Sequence, residues 1–147
     1  MSTDAIVEEI EVTEALSEPD PELAGRLLES VDFDHRLMGM KMAAMGGTNA
    51  MALYSLREAA SFIHVDPYEV VMFDQNATVG YIDPTMLAKW IDEVLDDAEL
   101  AEAVRAEAGK AEFYGAVAMP IKAVLGQRLE QARGILDADA NSGEEDA

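Results

Sequence analysis

The sequence predicts an all-α fold, a bundle of short helices with a helix-turn-helix-like centre, and three observations predict it. Asp20-Pro21, Asp66-Pro67 and Asp83-Pro84 each pair a capping carboxylate with a proline at the first helical position. Ser55 and Glu58 have capping-box spacing. Ile121, Val124, Leu125, Leu129, Ala132, Ile135 and Leu136 recur with the period of a helix that buries one face.

The elements follow in order. Residues 1–19 form an acidic arm or weak helix, with Ile6, Val7 and Ile10 as its apolar positions, and Ser17 to Pro21 interrupts it. Asp20 caps a helix carrying Leu23, Leu27, Leu28 and Val31. Asp34 opens a helix through Met45 that Gly46 and Gly47 end. Ser55 starts one through Ile63, Asp66 another, and Asp83 the next, with Leu87, Trp90, Ile91 and Val94 on one face. Asp96 with Glu99 restarts a helix that runs to about Tyr114. A last helix spans Met119 or Pro120 to Leu136, and residues 137–147 are a disordered acidic tail. Val70 to Phe73 and Ala77 to Ile82 suit the arms of a small β-hairpin or wing at residues 70–82. The helical domain therefore covers residues 20–136, one core's worth of chain in a protein of 147 residues.

Charge is sorted along the chain. Residues 1–34 hold eleven acids and one base, and residues 91–147 hold fourteen acids and five bases. Residues 35–90 hold five acids, four bases and seven of the nine methionines. A weakly charged, Met-rich centre between repulsive flanks points to a buried or partner-facing surface. The net charge of −20 disfavours bare nucleic acid and anionic membrane. Dense carboxylates with few lysines make the composition similar to that of halophilic, haloarchaeal-type proteins, whose high-salt cytoplasm screens such repulsion. The acidic N-terminus is unlike a secretory signal, and the longest apolar run, Phe113 to Ile121, is too short to span a bilayer; a cytoplasmic location is expected.

Within the centre, Glu58-Ala59-Ala60, the turn Val65-Asp66-Pro67, and Val70 with Phe73 are spaced as two helices around a tight turn. Gly80-Tyr81-Ile82-Asp83-Pro84, with Leu87 and Trp90-Ile91, follows. This stretch, residues 55–91, resembles the winged helix-turn-helix of the MerR and excisionase group. The resemblance implies DNA binding, with Arg57, Gln75, Asn76 and Lys89 as the residues able to meet nucleic acid. The segment in the recognition position, Pro67 to Asn76, has no Arg or Lys and contributes Glu69 and Asp74. That makes a protein contact the leading expectation and a DNA-binding regulator or viral module the alternative.

Met38, Met42 and Met45, spaced four and three apart, share one face of the expected helix, with Met40 pointing elsewhere. With Met51 they are the expected interface, as core filler or as an adaptable surface for a protein partner or a homodimer. Arg128 falls inside the apolar arc of the last helix and must snorkel, pair with a carboxylate or face an interface. That helix is net basic and suits acidic helices, including residues 91–112 of its own or a neighbouring chain. Asp32 with His35, and His64 with Asp66, are the nearest approaches to a metal-dependent enzyme. The sequence has no paired Glu-x-x-His, phosphate loop or nucleophile elbow, so a non-catalytic protein with no metal or cofactor is expected.

Overall fold

The computed structural model describes residues 16–43, 47–66 and 77–146, with side chains through residue 138. The order is α1 (Pro21–Leu28), a 3-10 turn (Phe33–His35), β1 (Leu37–Ala43), β2 (Gly47–Leu53), α2 (Leu56–Phe62), β3 (His64–Val65), β4 (Thr78–Tyr81), α3 (Pro84–Glu93), α4 (Ala98–Ala108) and α5 (Tyr114–Asp146). The strands form an antiparallel sheet in the order β2-β1-β4-β3, which makes the fold mixed α and β and overturns the all-α expectation. The helix expected from Asp34 to Met45 is instead a 3-10 turn followed by β1. The hairpin expected at residues 70–82, like the helix expected from Asp66, falls largely on residues 67–76, outside the described residues. The second arm of that hairpin, β4, pairs with β1 and β3 in the sheet.

The helix starts follow their caps. Asp20 accepts from the Leu23 amide at 2.8 Å and Asp83 from the Thr85 amide at 2.9 Å. Ser55 accepts from the Glu58 amide at 3.0 Å, while the Glu58 carboxylate reaches back to the Tyr54 amide at 2.8 Å. The cap of α4 lies one residue later than expected. Asp96 takes a left-handed φ of 59° that ends the preceding turn, leaving Asp97 to accept from the Leu100 amide at 3.1 Å. Pro120 stands inside α5 instead of at its start. The same helix continues through Asp146, past the expected end at Leu136, because extending an existing helix adds a hydrogen bond for each residue fixed.

Leu27, Leu56, Ile91, Leu100, Ile121 and Leu125 form the centre of one continuous core shared by all five helices and the inner face of the sheet. Arg128 lies within it, 2 % exposed, where α5 meets the start of α4. Its guanidinium donates to both Asp97 oxygens, at 2.8 and 3.0 Å, to Glu99 at 3.2 Å, to Gln131 at 3.0 Å and to the Ser17 carbonyl at 2.5 Å. A buried cation is tolerable here because each face of its fork meets an acceptor. Among the described residues, no helix is long and apolar enough to cross a membrane.

Candidate functional site

The hairpin of β1 and β2 carries the unusual surface. Gly47 has φ of 80°, a left-handed conformation that suits glycine, and it starts β2 opposite Ala43. The register then sets Met38 opposite Ala52, Met40 opposite Ala50 and Met42 opposite Thr48. Across the other side of β1, Met40 meets Tyr81 and Met42 meets Val79. Because side chains alternate along a strand, all of these share one face of the sheet, and none is charged. Met38 is 41 % exposed, Met40 38 %, and Ala50 is exposed too. The expected grouping is thus corrected from Met38, Met42 and Met45 on a helix to Met38, Met40 and Met42 on a strand. Met45 lies outside the described residues, and Met51 is exposed on the opposite face.

That opposite face packs inward at its base. Leu37 and Leu53 are buried beneath the helices, and Gly39 lies under the Phe62 ring, so close that a Cβ there would be 2.6 Å from the ring. Farther out the same face carries Lys41, Asn49 and Met51. Between β2 and α2 lies a groove of about 460 Å³ lined by Met51, Leu53, Arg57, Ser61 and Phe62, among others.

The remaining candidates are elsewhere. Arg128 is not an interface residue, because it is enclosed and saturated by its own chain; the acidic helix it meets is α4. Arg57 lies on α2 and Lys89 on α3, while Gln75 and Asn76 lie outside the described residues. Asp32 caps the 3-10 turn and approaches the exposed His35 ring at 2.5 Å; that hydrogen bond holds the Asp32 carboxyl below its ordinary pKa. No group of three or more potential metal ligands occurs among the described residues.

Histidine and tyrosine tie the sheet to the helices. His64 bonds through Nδ1 to the Phe62 carbonyl at 3.0 Å and through Nε2 to the Thr78 hydroxyl at 2.7 Å. Lys122 donates to the Ala60 and Ile63 carbonyls, closing the end of α2 with a positive charge. The Tyr114 hydroxyl donates to the Gly80 carbonyl at 2.7 Å and accepts from the Ile82 amide at 3.3 Å, with its ring edge-on to Tyr81. Burial pushes that hydroxyl up to about 12, against the opposing pull of the Ile82 amide. Tyr114→Phe should cost about 1–2 kcal/mol in urea unfolding near neutral pH, because a buried amide loses its acceptor. A hydroxyl raised above its ordinary value of 10 contributes fully below pH 10, and the contribution is lost as pH rises toward about 12. Thermal unfolding from pH 8 to 11 should show the two proteins converging at the alkaline end.

Comparison with protein-family models, curated proteins and solved structures finds no match.

Proposed function

We propose that this is a non-catalytic cytoplasmic protein that self-associates through the methionine face of its sheet, with a second copy as the partner. One observation carries the reading: among the described residues, a sheet face without charge, centred on the exposed Met38 and Met40 and the half-buried Met42, is left uncovered in a chain of thirty acids and ten bases. Residues 35–57 contain no Asp or Glu at all. Two copies meeting on this face oppose no carboxylates across the contact, whereas most other approaches bring acidic surfaces together. Thioether side chains adapt to one another's shape, and covering the part of Met38 and Met40 still exposed contributes on the order of 1 kcal/mol each. Salt works in the same direction, since at 1 M the screening length falls to about 3 Å and repulsion between distant charges fades.

Light scattering on the eluting protein should therefore give a dimer mass in 2 M KCl and a growing monomer fraction as salt is lowered. Met40→Asp places a carboxylate at the centre of the contact and should weaken dimerisation at least about tenfold, the equivalent of 1.4 kcal/mol. A strict monomer at every salt concentration would remove the reading. Duplex DNA titrated in the same buffers should not bind. Affinity for DNA that falls as salt rises would instead favour the function implied by the winged-domain resemblance.

A further inference from the structure

We infer that the free edge of β2, together with the groove beside α2, is a second docking site, which takes an extended acidic segment of another protein as an added strand. Three independent features meet there.

The first is the edge itself. β2 is bonded to β1 alone, so the outward amides and carbonyls of Gly47–Leu53 are unpaired among the described residues. Natural edges of this length are usually blunted by Lys, Pro, a bulge or an inward charge. Gly-Thr-Asn-Ala-Met-Ala-Leu has no charge and no proline. In a chain so rich in carboxylates, this seven-residue edge remains able to pair.

The second is the groove. An incoming strand on β2 would run beside an opening of about 460 Å³ with an apolar floor from Met51, Leu53 and Phe62. An edge that supplies backbone bonds and an adjacent groove that takes side chains is the general arrangement of peptide recognition by strand addition.

The third is charge. Arg26, Arg105, Lys110, Arg128 and Arg133 each hold a carboxylate within 4.0 Å. Of the five bases that hold none among the described residues, Arg36, Lys41, Arg57, Lys89 and Lys122, two meet here, Arg57 on the groove and Lys41 on the same face of the sheet. Glu58 also lines the groove and keeps its charge while accepting from the Tyr54 amide, so this face carries two bases against one acid. A strand added to β2 continues both faces of the sheet. Its alternate side chains therefore meet the cationic groove face on one side and the uncharged Ala50 and Ala52 side on the other. The segment that fits both alternates acidic with apolar residues.

The full chain should be titrated against a fluorescent ten-residue peptide alternating Glu and Val, followed by anisotropy. Saturable binding is expected, at least tenfold tighter than that of the matching Lys-Val peptide and of a Glu-Val peptide N-methylated at alternate amides. Lys41→Glu combined with Arg57→Glu should weaken it by at least tenfold; both side chains are exposed, so the fold does not depend on them. Amide shifts in the NMR spectrum should map to residues 47–62. Met40→Asp, which weakens the proposed dimer, should change peptide affinity less than threefold, so failure of either site leaves the other testable. Absence of saturable Glu-Val binding, equal binding of the N-methylated peptide, or tighter binding of a ten-residue thymidine oligonucleotide would each overturn the inference.

Discussion

Replacing Arg128 with alanine is expected to lower unfolding stability by about 3–5 kcal/mol, because it leaves the Asp97 carboxylate buried without its counter-ion. Arg128 and Asp97 are each 2 % exposed and are joined through both oxygens of the carboxylate. Burial disfavours the Arg128 charge, but Asp97 and then Glu99 outweigh it and hold the guanidinium above its ordinary pKa. Asp97 also caps α4, so the pair connects the start of that helix to the middle of α5. Arg128→Ala with Asp97→Ala should cost clearly less than the sum of the two single changes, since removing both charges leaves neither stranded. Urea unfolding of the four proteins near pH 7 measures this, and a cost for Arg128→Ala below about 1 kcal/mol would show that water satisfies Asp97. The network also has an acid limit. Partial burial pushes the Glu99 carboxyl up, but Ser17, through its amide and hydroxyl, and Arg128 together hold it below the ordinary 4.5. A lowered carboxyl pKa contributes fully above pH 4.5 and loses that contribution as pH falls through the lowered value. Glu99→Gln should therefore flatten the stability loss in that acid window.

Arg128 was legible in the sequence because a cation inside an apolar helical arc has few outcomes, and pairing with an acidic segment of its own chain was one of them. The caps at Asp20, Ser55 and Asp83 were legible for a similar reason: short polar side chains satisfy backbone amides locally, without help from the rest of the fold. The hairpin was misread because methionine, leucine and alanine are intrinsically good helix formers, and positions 38, 42 and 45 imitate a helical face. The competing signal was present in Met-Gly-Met-Lys-Met, which alternates with period two, and in the sequence pair Gly46-Gly47, whose second glycine opens β2. Tertiary packing decided between them. The Phe62 ring occupies the space above Gly39, which a strand with no side chain at that position permits. The groove and the unpaired edge were invisible in sequence because they depend on which strand ends up outermost, a long-range outcome with no local pattern. The same holds for Lys41 and Arg57, whose membership of one face follows only from the strand register and the seating of α2.

Gly80→Ala is expected to cost about 3 kcal/mol or more, enough to disrupt the sheet. Gly80 is buried in β4 between β1 and β3, and a Cβ built on it would lie 1.8 Å from the Phe62 carbonyl oxygen and 2.9 Å from His64 Nδ1. No side-chain rotation relieves that overlap, because its main partner is backbone. The Phe62 carbonyl cannot easily retreat: it is bonded to His64, and Lys122 fixes the carbonyls of Ala60 and Ile63 on either side of it. Gly39→Ala should be milder, since the ring edge it meets belongs to a side chain that can move. Gly134→Ala is the control in the opposite direction, as the site is open and lies within α5, where alanine should add about 0.5–1 kcal/mol. Urea midpoints of the three variants should rank Gly134→Ala above wild type, Gly39→Ala below it and Gly80→Ala lowest. Because β4 braces β1 along Met40 and Met42, loss of this packing should also remove self-association, even in molar salt. A Gly80→Ala protein that unfolds within about 1 kcal/mol of wild type would mean that α2 does not press on the sheet at this point.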